Sequence, residues 1–160
     1  MEPIYIGNRE LLNLPKVAFF SSRKITSNAV LKCYDWATEM REKGICVISG
    51  FHSKLEKDVL HFLSKGTQPL IVVFGRKPYK TIPNKFQKLL DEGRLLLIFI
   101  TPTVRQSEET AMHRNRYIIK NAERIVFGTL YSESSLYPLY QELIETRKTD
   151  ITLLSSGLSK

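Results

Sequence analysis

Six short apolar runs recur along the chain: "KVAFF" (16–20), "ICVIS" (45–49), "PLIVVF" (69–74), "LLLIF" (95–99), "RIVFG" (124–128) and "DITLL" (150–154). None alternates with polar residues, so strands built from them need cover on both faces. Helical patterns fill the gaps. Residues 27–43 keep Ala29, Cys33, Trp36, Ala37 and Met40 at 3/4 spacing, with Thr26 or Ser27 placed to cap and Gly44 to stop. Residues 54–64 do the same with Leu55, Val59, Phe62 and Leu63, and Ser53 to Glu56 reads as a capping box. Pro83 opens a third helix that ends near Gly93; a fourth is expected over about 111–121 and a fifth over about 135–147. Strands alternating with helices predict an α/β fold with a mostly parallel sheet of about six strands and helices on both faces.

At 160 residues the chain suits one domain, which buries roughly two thirds of its unfolded surface. The longest apolar run, Leu95–Ile100, is far below the ~20 residues of a membrane span. The start, "MEPIYIGNRE", has neither a basic stretch nor an apolar core, so no signal peptide is expected. Cys33 and Cys46 stand apart without metal-ligand spacing, as expected of small core residues in a reduced, cytoplasmic protein. No metal or cofactor is expected. Charge is the unusual quantity: 24 Lys and Arg against 16 Asp and Glu give +8. That balance favours a polyanionic partner, although surface lysines also serve solubility.

In open parallel sheets, ligands bind beyond the carboxyl ends of the strands. The loops at those ends are rich in basic residues. Ser21, Ser22, Arg23 and Lys24 follow the first run; Gly50 and "FHSK" follow the second; Gly75, Arg76, Lys77 and Lys80 follow the third. The long segment after the fourth holds Arg105, His113, Arg114 and Arg116, and the acids nearby are Glu56, Glu108 and Glu109. Hydroxyls and helix N-termini on the same rim can donate hydrogen bonds to phosphate. Arg23 and Lys24 are phosphate contacts or a polar turn. Gly50 and Gly75 allow tight turns or close approach of a ligand. Glu56 reads as a cap rather than a catalytic acid, and His52 and His61 as surface residues. Phe51 and Tyr79 either stack on bases or pack internally. On a helix over 111–121, Ala111, Asn115, Ile118 and Ala122 share one side, and Met112, Arg116 and Ile119 share another. Arg116 is therefore expected to turn toward the strand-end crevice, with Asn115 tying backbone groups together.

These residues resemble those of a known family, the Rossmann-like domain of the DNA-processing protein DprA (also called Smf). The wider group includes the cytokinin-activating LOG proteins. The similarity runs from "YIGNRELLNLPKVAFFSSRK" through "GICVISGF", "IVVFG" and "KTIPNKF" to "HRNRYIIKNAERIVFG", and more loosely through the tail. It implies a Rossmann-like fold and single-stranded DNA held in a basic pocket at the strand ends. Ser22, Arg23, Gly50, Arg114, Asn115 and Arg116 would line that pocket, with Lys24 nearby. In transformable bacteria the family protects incoming DNA and helps load the strand-exchange recombinase. Such a partner and a homodimer are what the resemblance implies. The chain also departs from the family pattern. Ser21 stands where the family has Gly, "GFHSKLE" (50–56) loses an Arg and a Gly that Lys54 and Glu56 offset in charge, and "SESSL" replaces a Gly-Ser-Leu. The expected domain is a single one spanning 1–160, without the family's accessory domains.

Three functions are compatible with this pattern. The first is a non-enzymatic module that binds the phosphate backbone of single-stranded DNA through residues of the basic loops. The second is a sensor of a small nucleotide or nucleotide-derived ligand in the same crevice. The third is a LOG-like nucleotide hydrolase. Its Pro-Gly-Gly-x-Gly-Thr has no counterpart near Phe127-Gly128-Thr129, and no Ser/His/Asp, Cys/His or metal-ligand constellation accompanies it.

Overall fold

The structure is a computed structural model and describes residues 2–146 and 150–156. Its strands are β1 (Ile4–Gly7), β2 (Lys16–Phe20), β3 (Cys46–Ser49), β4 (Leu70–Phe74), β5 (Leu95–Phe99), β6 (Arg124–Leu130) and β7 (Ile151–Ser156). Between them lie α1 (Ser27–Lys43), α2 (Lys54–Ser64), α3 (Asn84–Asp91), α4 (Glu108–Lys120) and α5 (Tyr137–Thr146), with a 3₁₀ helix at Arg9–Asn13. All seven strands form one sheet in the order β1-β5-β4-β3-β2-β6-β7. Every pairing is parallel except β1 with β5. The architecture is the expected Rossmann-like α/β sandwich of helices around a sheet.

The continuous apolar runs are buried because each strand serves two cores. In β2, Val17 and Phe19 join the face covered by α1 to α3, where Trp36 stacks on Phe19 at 4.9 Å between centroids. Ala18 and Phe20 join the opposite face, with Ile118 of α4 and Leu139 and Leu143 of α5. Caps end the helices where the sequence marks them: Thr26 accepts from Ala29 N, and Ser53 and Glu56 form the capping box of α2.

Three features depart from expectation. β1 adds a seventh strand at the sheet edge, antiparallel to β5, and only four residues long. α4 begins at Glu108 rather than 111, because Ser107 and Thr110 cap each other reciprocally. Glu108 and Glu109 therefore sit in a first helical turn, where the helix dipole favours them. α5 is described as Tyr137–Thr146, and the expected residue 147 lies outside the described residues. Strand order reverses between β2 and β6, since β3, β4 and β5 follow on one side and β6 and β7 on the other. This switch point is the site of interest.

Candidate nucleic-acid interface

A cleft of about 750 Å³ opens beyond the carboxyl ends of β2, β3 and β6, and α4 forms its far wall. Its floor is a stapled turn. Ser21 is buried, its N–H donates to Glu56 Oε2 at 2.9 Å, and its hydroxyl shares a 2.9 Å hydrogen bond with that of Thr129. The Ser22 N–H donates to the Thr129 carbonyl at 3.1 Å, and Ser22 Oγ donates to Ser134 Oγ at 2.9 Å. The turn after β2 is thereby tied to α2 on one side and to β6 on the other. Arg23 and Lys24 follow it directly and remain exposed at the mouth. Lys24 lies 3.8 Å from a Glu133 carboxylate oxygen, and its ammonium stands 4.8 Å from the centre of the Tyr131 ring. Glu133 is held below the usual carboxylate range, first by its own backbone N–H, then by Ser132 and Lys24.

Arg114 supplies the cleft's buried cation. It is only 7% exposed, yet it lines the cleft, with Nε donating to Asn115 Oδ1 at 3.2 Å and Nη1 to Gln106 Oε1 at 3.1 Å. Burial lowers its pKa, and the nearby Glu56 carboxylate opposes that shift. Arginine stays charged regardless, so the wall carries a fixed positive centre with further donors for a ligand. Gly50 makes room for it. A Cβ there would fall 2.7 Å from Arg114 Nε and 2.9 Å from its Cδ. Glu56 is itself buried and accepts from the backbone of Ser21, His52 and Ser53. It is the cap the sequence indicates, and also the bridge between the β2 turn and α2.

Of the expected site residues, Ser21, Ser22, Arg23, Lys24, Arg114 and Asn115 line the cleft, and Gly50 backs it. The others stand elsewhere. Lys54 points to solvent and pairs with Asp58 at 3.1 Å, as i,i+4 residues on a helix do. Gly75 lies under the start of α4, where a Cβ would meet the Thr110 carbonyl at 2.6 Å, so it serves packing. Arg76 stacks on the Tyr79 ring at 3.8 Å and donates to the Lys77 carbonyl. Lys77, Arg105 and His113 are exposed and outside the cleft lining.

Arg116 reverses its expectation. Its helix turns Arg114, Asn115 and Ile118 inward, leaving Arg116 on the outer surface with Glu142 of α5 at 3.0 Å. The buried residues Asn115, Ile118 and Ala122 belong to the row that the spacing sets on the other side from Met112, Arg116 and Ile119. The aromatic expectations resolve as packing. Phe51 is 4% exposed within the α1–α3 core, and Tyr79 sets its edge against Phe74 and Phe99.

His52 is exposed, as expected of a surface residue, and also lines the cleft, together with Gln106, Met112, Tyr131, Glu133 and Ser134, which the basic-loop pattern does not pick out. The signal for the last three was available, because the loop after β6 is also a strand end. Its proximity to β2 depends on strand order, which residue pattern does not state. The acids Glu56, Glu108 and Glu133 stand beside Arg23, Lys24 and Arg114, so the lining is closer to balanced than the basic loops suggest.

The comparisons with known proteins bear on the family and the fold. Residues 3–129 match the family model of DNA recombination-mediator protein A. The chain belongs to this family. Solved structures share its fold: DNA processing protein A (DprA) from Streptococcus pneumoniae superposes with a TM-score of 0.75 at 19% identity, over 94% of this chain and 54% of that one. The Helicobacter pylori DprA gives 0.74 at 15% identity, over 94% and 70%. A molybdenum cofactor binding protein from Rippkaea orientalis gives 0.60 at 11% identity, over 89% and 77%. The chain thus spans about half the length of the pneumococcal DprA. No curated protein matches it in sequence. Among the described residues, no helix is long and apolar enough to cross a membrane.

Proposed function

We propose that this member of the DNA recombination-mediator protein A family binds single-stranded DNA through its phosphate backbone in the switch-point cleft, as a binding module without a chemical step. The carrying observation is that Arg23 and Lys24 at the mouth and Arg114 in the wall come from separate segments to one cleft. Cations gathered there release counterions when a phosphate chain enters, whatever its sequence. Family membership supports the reading, and so does the single-stranded DNA binding mode described for the similar H. pylori protein.

The test is fluorescence anisotropy with labelled oligo-dT, a duplex of equal length and the double variant Arg23→Ala/Lys24→Ala. The parent is expected to bind oligo-dT more tightly than duplex, and the variant to lose about tenfold or more. A variant that binds as tightly as the parent overturns the assignment.

One observation favours a second reading. A lining of both charge signs and a volume of about 750 Å³ also suit a compact nucleotide-derived ligand. Thermal stabilisation by a mononucleotide, without any by oligo-dT, would select it.

A further inference from the structure

We propose that His52 is a phosphate-binding group of the cleft and that it takes up a proton when an anionic strand enters. The inference rests on the strand-binding reading above and names a residue that the basic-loop pattern did not.

His52 is held in place. Phe51, just before it, is anchored in the core with φ +44 and donates its N–H to Ser49 Oγ at 3.0 Å. That conformation is strained for a bulky residue and persists here under core packing. The His52 N–H then donates to Glu56 Oε1 at 2.8 Å, ahead of the capped start of α2. The imidazole thus leaves a fixed turn at the cleft wall.

Its neighbours come from each element around it: Arg114 from α4, Arg23 from the turn after β2, and Glu56 and Lys57 from α2. Glu108 and Tyr131 line the same cleft. Desolvation first, then Arg114, with smaller contributions from Lys57 and Arg23, hold its pKa below 6.5, while Glu56 pulls the other way. These influences favour the neutral imidazole in the empty cleft.

A phosphodiester changes each of these influences. It screens the cations and places an anion where an imidazolium N–H can donate to it. Both effects raise the pKa in the complex. By linkage, affinity then rises as pH falls through the bound-state pKa and levels off below the free-state pKa, by about tenfold for each unit between them. The other two histidines, His61 and His113, lie outside the cleft lining. The cysteine thiols are pushed up to about 12 by burial, and internal phosphodiesters do not titrate between the two His52 pKa values.

The experiment uses the full chain and oligo-dT without a terminal phosphate, at constant salt, between pH 7.5 and 5.5. Affinity is read by anisotropy, and proton uptake by calorimetry in two buffers of different ionisation enthalpy. Binding is expected to tighten several-fold toward pH 5.5 with uptake of up to about one proton. His52→Gln should abolish uptake and flatten the profile, while His61→Gln, away from the cleft, keeps both. Binding with no uptake, or a pH profile that survives His52→Gln, overturns the inference and leaves the strand-binding reading standing. No binding of oligo-dT at either pH overturns both.

Discussion

Gly50 and Gly75 occupy matching places, one residue past β3 and β4, but a methyl group on each would meet a different obstacle. At Gly50 it meets the Arg114 side chain, which can swing away; at Gly75 it meets the Thr110 carbonyl, which cannot move without α4. Gly50→Ala should therefore reduce oligo-dT affinity several-fold through a displaced Arg114, with little change in the urea midpoint. Gly75→Ala should lower stability by about 1–3 kcal/mol, as overpacking does, and be seen in that same denaturation series. Equal effects of the two substitutions on both measurements would contradict this division. The sequence showed both glycines as turn or approach positions. It could not separate them, since the discriminating neighbours lie tens of residues away in the chain.

At the scale of elements, capped helices and buried strands were legible because their signals are local. Thr26, the Ser53–Glu56 box and Gly44 sit within a few residues of the backbone groups they satisfy. β1 was missed because four residues with exposed ends carry too short a pattern, and pairing with the partner strand β5 supplies its structure. α4 was placed and its Asn115–Ile118 row is buried as the spacing indicates, but it starts earlier than expected and Arg116 does not turn inward. The first turn of α4 depends on the Ser107–Thr110 box, which lacks the usual acid or amide at the third position. The phase matters for function, since it turns Arg114 inward and leaves Arg116 on an exposed pair with Glu142. Exposed pairs of this kind contribute little. Arg116→Ala should keep oligo-dT affinity within about twofold of the parent, in contrast to the Arg23→Ala/Lys24→Ala variant, with anisotropy as the measurement. A loss comparable to that variant's would move the binding surface onto the α4–α5 face.

For the whole molecule, the formal charge of +8 is spread unevenly. The cleft sets Arg23, Lys24 and Arg114 among acids, whereas Arg76, Lys77 and Arg105 lie outside its lining on neighbouring strand-end loops. A short oligo-dT confined to the cleft should give a log affinity against log salt slope of about −2, from three phosphates at about −0.7 each. Longer strands that also reach the outer loops should steepen it toward about −4. A slope independent of length would restrict binding to the cleft. The sequence by itself determined six of the seven strands, the five helices, the mostly parallel sheet and the rim on which basic residues gather, because periodicity, caps and strand-end position are properties of neighbouring residues. Which basic side chains share one cleft was decided only by tertiary structure. The inward turn of Arg114 beside Gly50, the adjacency of β2 and β6, and the buried carboxylate of Glu56 arise from contacts between segments far apart in the chain.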